Sequence, residues 1–234
     1  MLRFLSTILF PASCLCCSKR TATEYLCEHC ESHLPRISKH ICPACQKSET
    51  RTGEVCMKCY GTTPLAGTFA ALSYRDPIVS SCVETLKYRF VPSLAAPLGR
   101  TLAKALEHSD VPLPDIIIPV PLHTFRYRWR GFNQAELIAR EMQQNLPILE
   151  NTPIRTDLLK RRRFTKPQAK KAKRQKRLAS LAGAFAFIEK ENCIQGKRVW
   201  LVDDVSTTNA TLTECARPLA AAGAEEIWGI VAAR

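Results

Sequence analysis

Two adjacent carboxylates, Asp203 and Asp204, follow the apolar run 199–202, which is typical of a buried strand. Carboxylate oxygens accept hydrogen bonds from sugar hydroxyls and hold Mg²⁺ through water. A hydroxyl-rich loop comes next, and residues 210–222 then favour a helix, whose N-terminal N–H groups attract phosphate. The pattern predicts a site for a phosphorylated sugar. The alternative is a core strand with an ordinary helix cap.

Eight cysteines in residues 14–59 form four C-x-x-C pairs. Pairs with this spacing bind tetrahedral Zn²⁺ through their thiolates. The pairs are Cys14/Cys17, Cys27/Cys30, Cys42/Cys45 and Cys56/Cys59. We predict sequential pairing, with one zinc held by the first two pairs and a second by the last two. The spacing also allows interleaved pairing. Disulfides and redox thiols fit this regular pattern poorly, and closed four-thiolate sites are structural.

A third group of candidates alternates arginine with aromatic residues after a predicted strand over residues 115–121. The arginines are Arg126, Arg128 and Arg130, and Tyr127 and Trp129 lie between them. Single-stranded nucleic acid is bound by cationic side chains on phosphate and by aromatic rings on bases. We favour anion contact by at least some of these arginines. In the alternative, the aromatic side chains face the core and the arginines face water.

The net charge of +13 indicates an anionic partner, and most of it comes from residues 155–177. That segment has twelve Lys and Arg residues and one Asp, a net charge of +11. The like charges of this segment repel one another, so we expect it to become rigid only when it binds an anion. The alternative is a solvated charged face. Its candidate anion-binding residues are Arg161, Arg163, Lys170, Lys171, Arg174 and Arg177.

Periodicity predicts the elements that must position these residues. Helices are expected over 77–88, 94–106, 135–145 and 210–222, and strands over 69–74, 115–121, 185–188, 197–202 and 227–232. Strands alternating with helices favour an α/β fold with a mostly parallel sheet. Ligands bind at the carboxyl ends of such strands, where the acidic pair, residues 119–121 and the basic segment are expected to meet.

The N-terminus offers only a weak likeness to a lipoprotein signal, so we expect an apolar helix that packs on the body. No apolar run approaches the roughly 20 residues of a membrane span. We therefore predict a cytoplasmic protein without a transmembrane segment.

Residues 199–211, VWLVDDVSTTNAT, resemble the phosphoribosyl pyrophosphate (PRPP) loop of type I phosphoribosyltransferases. More closely, the whole chain resembles the ComF family of competence proteins, whose loop reads V-D-D-V-x-T-T-G-x-T. Asn209 stands at the family glycine. Residues 119–134 resemble the family signature P-V-P-L…R…R-G-F-N-Q, and residues 86–89 resemble L-K-Y-x, followed by Phe90 where glycine is usual.

The resemblance implies a type I phosphoribosyltransferase-like α/β domain over residues 63–234, behind an N-terminal segment and a small double zinc ribbon over residues 1–62. It implies that Asp203 and Asp204 form the catalytic pair, with PRPP held together with Mg²⁺. The implied phosphate-binding residues are Val205, Ser206, Thr207, Thr208, Asn209, Ala210 and Thr211. The arginines after residue 121 would meet pyrophosphate.

Two functions follow from this resemblance. The first is the handling of incoming single-stranded DNA in natural transformation, with a PRPP- or phosphate-binding site in the same chain. The implied place is the cytoplasmic side of the inner membrane, and the implied partner is a helicase or inner-membrane channel of the DNA-uptake machinery. The second is a catalytically active, Mg²⁺-dependent phosphoribosyltransferase that acts on a nucleobase or related acceptor. A scaffold that joins other uptake proteins through the zinc ribbon is a third alternative.

Overall fold

A computed structural model describes residues 13–21, 25–164, 180–188 and 193–234. The strands are β1 (His40–Ile41), β2 (Glu49–Thr50), β3 (Gly67–Leu72), β4 (Ile116–Pro119), β5 (Leu159–Arg161), β6 (Phe185–Phe187), β7 (Arg198–Val205) and β8 (Glu226–Ala233). The helices are α1 (Glu28–Ser32), α2 (Pro77–Tyr88), α3 (Ala95–Glu107), α4 (Thr124–Arg130), α5 (Gln134–Gln144) and α6 (Ala210–Ala221). The four long helices that periodicity predicts begin and end within one residue of α2, α3, α5 and α6.

A parallel sheet in the order β3-β8-β7-β4 forms the centre of the chain. Its two faces bury different side chains because successive strand residues point to opposite sides. Trp200 and Val202 pack in one core with α2, α3 and α5, and Val199 and Leu201 pack in the other with α6. The predicted α/β class with a mostly parallel sheet is therefore confirmed.

Two local devices fix the helices beside the sheet. The Asp76 carboxylate accepts hydrogen bonds from the backbone N–H groups of Ile78 and Val79, and Pro77 occupies the first position of α2. Gly223 ends α6 with a φ of 90°, which suits a residue without Cβ. The start of α2 and the end of α6 are thus set by local sequence.

The structure differs from the sequence predictions at two places that matter for function. The strand predicted to end at residue 202 continues as β7 through the acidic pair to Val205, since Asp203 and Val205 still pair with β8. The arginine-aromatic stretch forms a helix, α4, instead of a loop. Both differences change which way the functional side chains point.

The cysteine-rich part packs on the edge strand of the sheet. Glu54 and Arg36 form isolated antiparallel bridges with Gly67 and Leu72 of β3. The predicted N-terminal apolar helix falls mostly on residues 1–12, outside the described residues. Over the described ranges, no helix combines the length and the apolarity that crossing a bilayer requires.

Candidate functional site

The acidic pair lies at the carboxyl end of β7, and both side chains are almost fully buried. The exposed fraction is 8% for Asp203 and 2% for Asp204. Because the residues are adjacent in a strand, their side chains leave opposite faces of the sheet. A buried carboxylate is costly unless it is paired, so the groups around each one define the chemistry of the site.

Two cations approach Asp204. Lys87 Nζ lies 2.8 Å from Asp204 Oδ1, which also accepts a 2.6 Å hydrogen bond from the backbone N–H of Val205. Burial alone would lower the pKa of Lys87, but attraction to Asp204 and Asp203 raises it above its ordinary value. Arg130 is also buried, and the charge of Asp204 counters the effect of burial on its pKa.

Two polar atoms at this site are left without a partner. Among the described residues, Asp204 Oδ2 and Arg130 Nε are buried and take part in no hydrogen bond. The guanidinium of Arg130 is held by the Gln134 side chain, which accepts from Nη1. A buried acceptor and a buried donor that share one electrostatic neighbourhood fit a polar ligand that both accepts and donates.

The buried carboxyl group of Asp203 has a raised pKa. Burial, followed by the negative charge of Asp204, raises its pKa to about 7, while Lys87 acts in the opposite direction. Its Oδ1 accepts a 2.9 Å hydrogen bond from the backbone N–H of Asp204. Arg161 of β5 lies within electrostatic reach of Asp203. The pair thus combines an ion-paired carboxylate with one that titrates near neutral pH.

The predicted phosphate loop runs from the end of β7 to the first turn of α6. Thr207 is exposed, Thr208 and Thr211 are half-buried, and Ser206, Asn209 and Ala210 are buried. Asn209 precedes the helix in the left-handed region, with φ 57° and ψ 8°. The structure therefore brings the acidic pair and the loop together at the N-terminus of α6.

Helix α4 divides the predicted arginine group. Arg128 is exposed, Arg126 is half-buried with its guanidinium 5.6 Å from the Phe164 ring centre, and Arg130 turns inward to the acidic pair. Tyr127 and Trp129 are half exposed, at 50% and 58%, so neither is a core residue. The alternative, in which the aromatic side chains face the core and the arginines face water, is therefore wrong.

Four exposed aromatic side chains form a row along α4, which we call the aromatic row: Phe90, Trp129, Phe125 and Phe164. Phe125 and Trp129 are one turn apart on the same helix face. The Phe90 ring meets Trp129 edge to face at 4.7 Å between centroids, and Phe164 meets Phe125 in the same way at 5.6 Å. Their exposed fractions run from 37% to 65%.

The sequence patterns did not reveal four members of these sites: Lys87, Phe90, Phe125 and Phe164. Lys87 and Phe90 nevertheless lie in or directly after the L-K-Y motif, and Phe125 lies next to Arg126. Of the basic segment, Arg161 is buried with its guanidinium 5.3 Å from the Phe185 ring centre, and Arg163 donates to the Ala182 carbonyl at 2.9 Å. The remaining candidates, Lys170, Lys171, Arg174 and Arg177, lie outside the described residues.

The cysteines form two clusters in the sequential pairing. The first cluster contains Cys14, Cys17, Cys27 and Cys30, and the second cluster contains Cys42, Cys45, Cys56 and Cys59. In each one, the four sulfur atoms lie within 4.8 Å of one another. Four thiol sulfurs at such separations fit the tetrahedral coordination of a structural Zn²⁺.

Backbone N–H groups close the turns of both clusters and favour thiolate at Cys45, whereas burial raises the pKa of Cys59 to about 12. Ser18 and Gln46 have positive φ and close equivalent turns, each donating its N–H to the carbonyl of the cysteine four residues earlier. Hydrogen bonds from Ser48 and Lys47 lower the pKa of the Cys45 thiol to about 5. Thiolate is the form of cysteine that binds metal ions, so the turn at Cys45 favours metal binding in addition to bringing the sulfur atoms together.

Comparison with known proteins gives one family model and a set of relatives. The model, "Double zinc ribbon domain", matches residues 5–60. "Competence protein F" of Haemophilus influenzae is 30% identical over 222 residues, covering 94% of this chain and 90% of the relative. "DNA utilization protein YhgH" of Escherichia coli K12 is 28% identical over 93% of this chain and 96% of the relative.

A more distant relative and a solved structure also match. "Competence protein ComFC" of Bacillus subtilis is 27% identical over 84% of this chain and 78% of the relative. A glutamine PRPP amidotransferase structure from B. subtilis matches with a TM-score of 0.37 and 21% identity, over 61% of this chain and 26% of that one. That structural likeness is too low to carry an argument.

Proposed function

The chain belongs to the ComF family of competence proteins, and from this premise we propose that it handles single-stranded DNA during DNA uptake. In this proposal the aromatic row stacks bases, and the arginines of α4 contact phosphates. A second part of the same site, the acidic pair with its loop, binds a phosphorylated ribose such as PRPP.

The aromatic row is the observation that carries the DNA-binding proposal. Large aromatic side chains are normally buried, but Phe125 is 65% exposed and Trp129 is 58% exposed. Base stacking on such rings contributes about 1–3 kcal/mol per base and accepts any base, because every base has a π face. Arg128 is exposed on the same short helix, so phosphate contacts are available beside the rings.

The buried polar atoms support the phosphorylated-ribose proposal. A ribose hydroxyl both donates and accepts, which suits Asp204 Oδ2 and Arg130 Nε. The N-terminus of α6 supplies N–H groups for a phosphate, and Mg²⁺ would be held by the carboxylates of Asp203 and Asp204. Mg²⁺ would supply charge neutralisation for the phosphates.

We also propose that the first and second clusters each hold one structural Zn²⁺. The donor sets are complete, with four cysteines each, so no position is left for a substrate. In this proposal one chain carries both the zinc-binding part and the DNA-binding part. The proposed partners are single-stranded DNA and, at the cytoplasmic side of the membrane, a component of the uptake machinery.

A salt series tests DNA binding. The wild-type chain should bind an unstructured oligonucleotide at about 50 mM salt and lose affinity steeply as salt rises, because condensed counterions are released. Arg128→Ala should weaken binding and make the slope of log affinity against log salt shallower by about 0.7. Absence of binding at the low salt concentration removes the proposal.

Calorimetry with PRPP and Mg²⁺ tests the second part of the site. Binding by the wild type that is lost in Asp203→Asn/Asp204→Asn supports the ribose site, and no binding by either protein removes it. Release of pyrophosphate on addition of a nucleobase would favour the alternative function, an active phosphoribosyltransferase. The observation that favours this alternative is the buried, unpartnered Asp204 Oδ2 beside Arg130.

A further inference from the structure

Asn209 occupies a position whose backbone favours glycine. Its φ of 57° lies in the left-handed region, where asparagine is tolerated and glycine carries no cost. The side chain is 1% exposed, so it is enclosed by protein. Its partners should therefore show what the amide does.

The Asn209 amide links the loop to the second cluster. Its Oδ1 accepts a 2.7 Å hydrogen bond from Ser206 Oγ, and its Nδ2 donates to the Pro43 carbonyl at 3.3 Å. Pro43 lies inside the knuckle between Cys42 and Cys45. One side chain thus joins the loop before α6 to a cysteine turn 166 residues away in sequence.

The position of the Pro43 carbonyl depends on its flanking cysteines. Gln46 N–H closes the turn on the Cys42 carbonyl at 3.0 Å, and Cys56 N–H points at Cys42 Sγ from 3.4 Å. A zinc ion bound by Cys42 and Cys45 would therefore fix the carbonyl that receives the Asn209 amide. Without the ion, four neighbouring thiols would rearrange and the turn would lose its anchor.

The first cluster is attached to a different element. Glu31, next to Cys30, pairs with Arg100 of α3 at 2.5 Å. This contact lies on the helix that covers one sheet face, and it provides an internal comparison for the second cluster. A general loss of folding would affect both clusters, whereas a contact through Asn209 concerns only the second.

We propose that Asn209 is a positioning residue that couples zinc binding at the second cluster to ligand binding at the phosphate loop. This inference rests on the proposed ribose-phosphate site. Coupling of two binding equilibria is reciprocal, so zinc at the second cluster raises PRPP affinity and PRPP raises the affinity of that cluster for zinc by the same factor. Zinc at the first cluster takes no part.

The test measures zinc transfer from the full-length chain to a chromogenic chelator, with and without PRPP and Mg²⁺. Because a more tightly bound zinc leaves more slowly, PRPP should slow the release of one zinc from the wild type by about the coupling factor, fivefold or more, and leave the other unchanged. Asn209→Gly keeps the backbone geometry and removes both amide contacts. It should still bind PRPP by calorimetry, with an affinity about fivefold or more below that of the wild type, while its zinc release no longer responds to PRPP.

Two cysteine variants identify the responding zinc. Cys17→Ser should keep the slowed release, and Cys45→Ser should lose it. Asn209→Asp, which tolerates the left-handed backbone but cannot donate to the Pro43 carbonyl, provides a second variant should the glycine variant fold poorly. Wild type that binds PRPP without any change in zinc release overturns the coupling but leaves the ribose site standing, and persistent coupling in Asn209→Gly overturns the role of Asn209. No PRPP binding by the wild type removes both proposals.

Discussion

Lys87 and Asp204 form an ion pair, 2.8 Å from Nζ to Oδ1, that joins the last turn of α2 to the end of β7. The Lys87 side chain is 21% exposed and that of Asp204 is 2% exposed, so the pair is largely shielded from water. The ammonium ion therefore neutralises the carboxylate proposed to hold a ribose hydroxyl or Mg²⁺. This makes Lys87 part of the candidate site.

Replacement of Lys87 by methionine should destabilise the fold, because Asp204 would keep a buried charge without its ammonium partner. We expect a loss of about 3 kcal/mol in the free energy of unfolding, measured by urea denaturation near neutral pH. Lys87→Met/Asp204→Asn should recover more than half of that loss. If the effects of the two substitutions simply add, the ion pair is not an energetic unit.

Asp203 should make stability depend on pH. Its pKa is about 7 in the fold, against an ordinary value of 3.8, so the folded chain binds a proton that the unfolded chain has released between these values. Stability from this group is therefore present at low pH and declines as pH rises from about 4 to about 7. Asp203→Asn should flatten this part of the stability-pH profile. Parallel profiles for the two proteins would contradict the assignment.

Zinc content should follow the two clusters. We expect two zinc ions per wild-type chain, one in Cys17→Ser or Cys45→Ser, and none in the double variant, measured by elemental analysis of purified protein. Cys16→Ser is a matched control, since Cys16 lies beside Cys17 but belongs to neither cluster, and it should retain two. Loss of zinc from the control would mean that the ligand set is misassigned.

Phe90→Gly separates stability from DNA binding. Phe90 has a φ of 56°, a conformation that costs a bulky residue about 1–2 kcal/mol and glycine nearly nothing. The substitution also removes the ring contact with Trp129, so the net change in unfolding free energy should stay within about 1 kcal/mol. Affinity for single-stranded DNA should fall about fivefold or more. Unchanged affinity would exclude Phe90 from the DNA-binding surface; Tyr60→Ala, an exposed aromatic outside the row, is the control.

The sequence predicted local structure well because local signals define it. Asp76 before Pro77 begins α2, and the apolar run before Asp203 forms β7. The sequential grouping of the cysteines also agrees with their order along the chain. At both family glycine positions, Phe90 and Asn209, the backbone keeps the left-handed conformation even though the residue has changed.

Contacts between distant segments could not be read in the same way. The alternation of arginine and aromatic residues was interpreted at period two, but a helix places residues four apart on one face. Phe125 and Trp129 therefore share a face of α4, and Arg130 turns inward. Lys87 meets Asp204 only because α2 packs beside β7, and Asn209 meets Pro43 only because the second cluster packs beside the loop. No local sequence pattern predicts these two contacts.

The fluorescence of Trp129 tests the DNA-binding proposal most directly. The chain has three tryptophans, and Trp200 and Trp228 are 1% and 3% exposed, so only Trp129 can meet a base. Titration with an unstructured oligonucleotide at about 50 mM salt should quench wild-type emission, whereas Trp129→Phe should still bind by anisotropy without that quenching. Quenching that persists in Trp129→Phe, or wild-type binding that leaves emission unchanged, would contradict base stacking on the aromatic row.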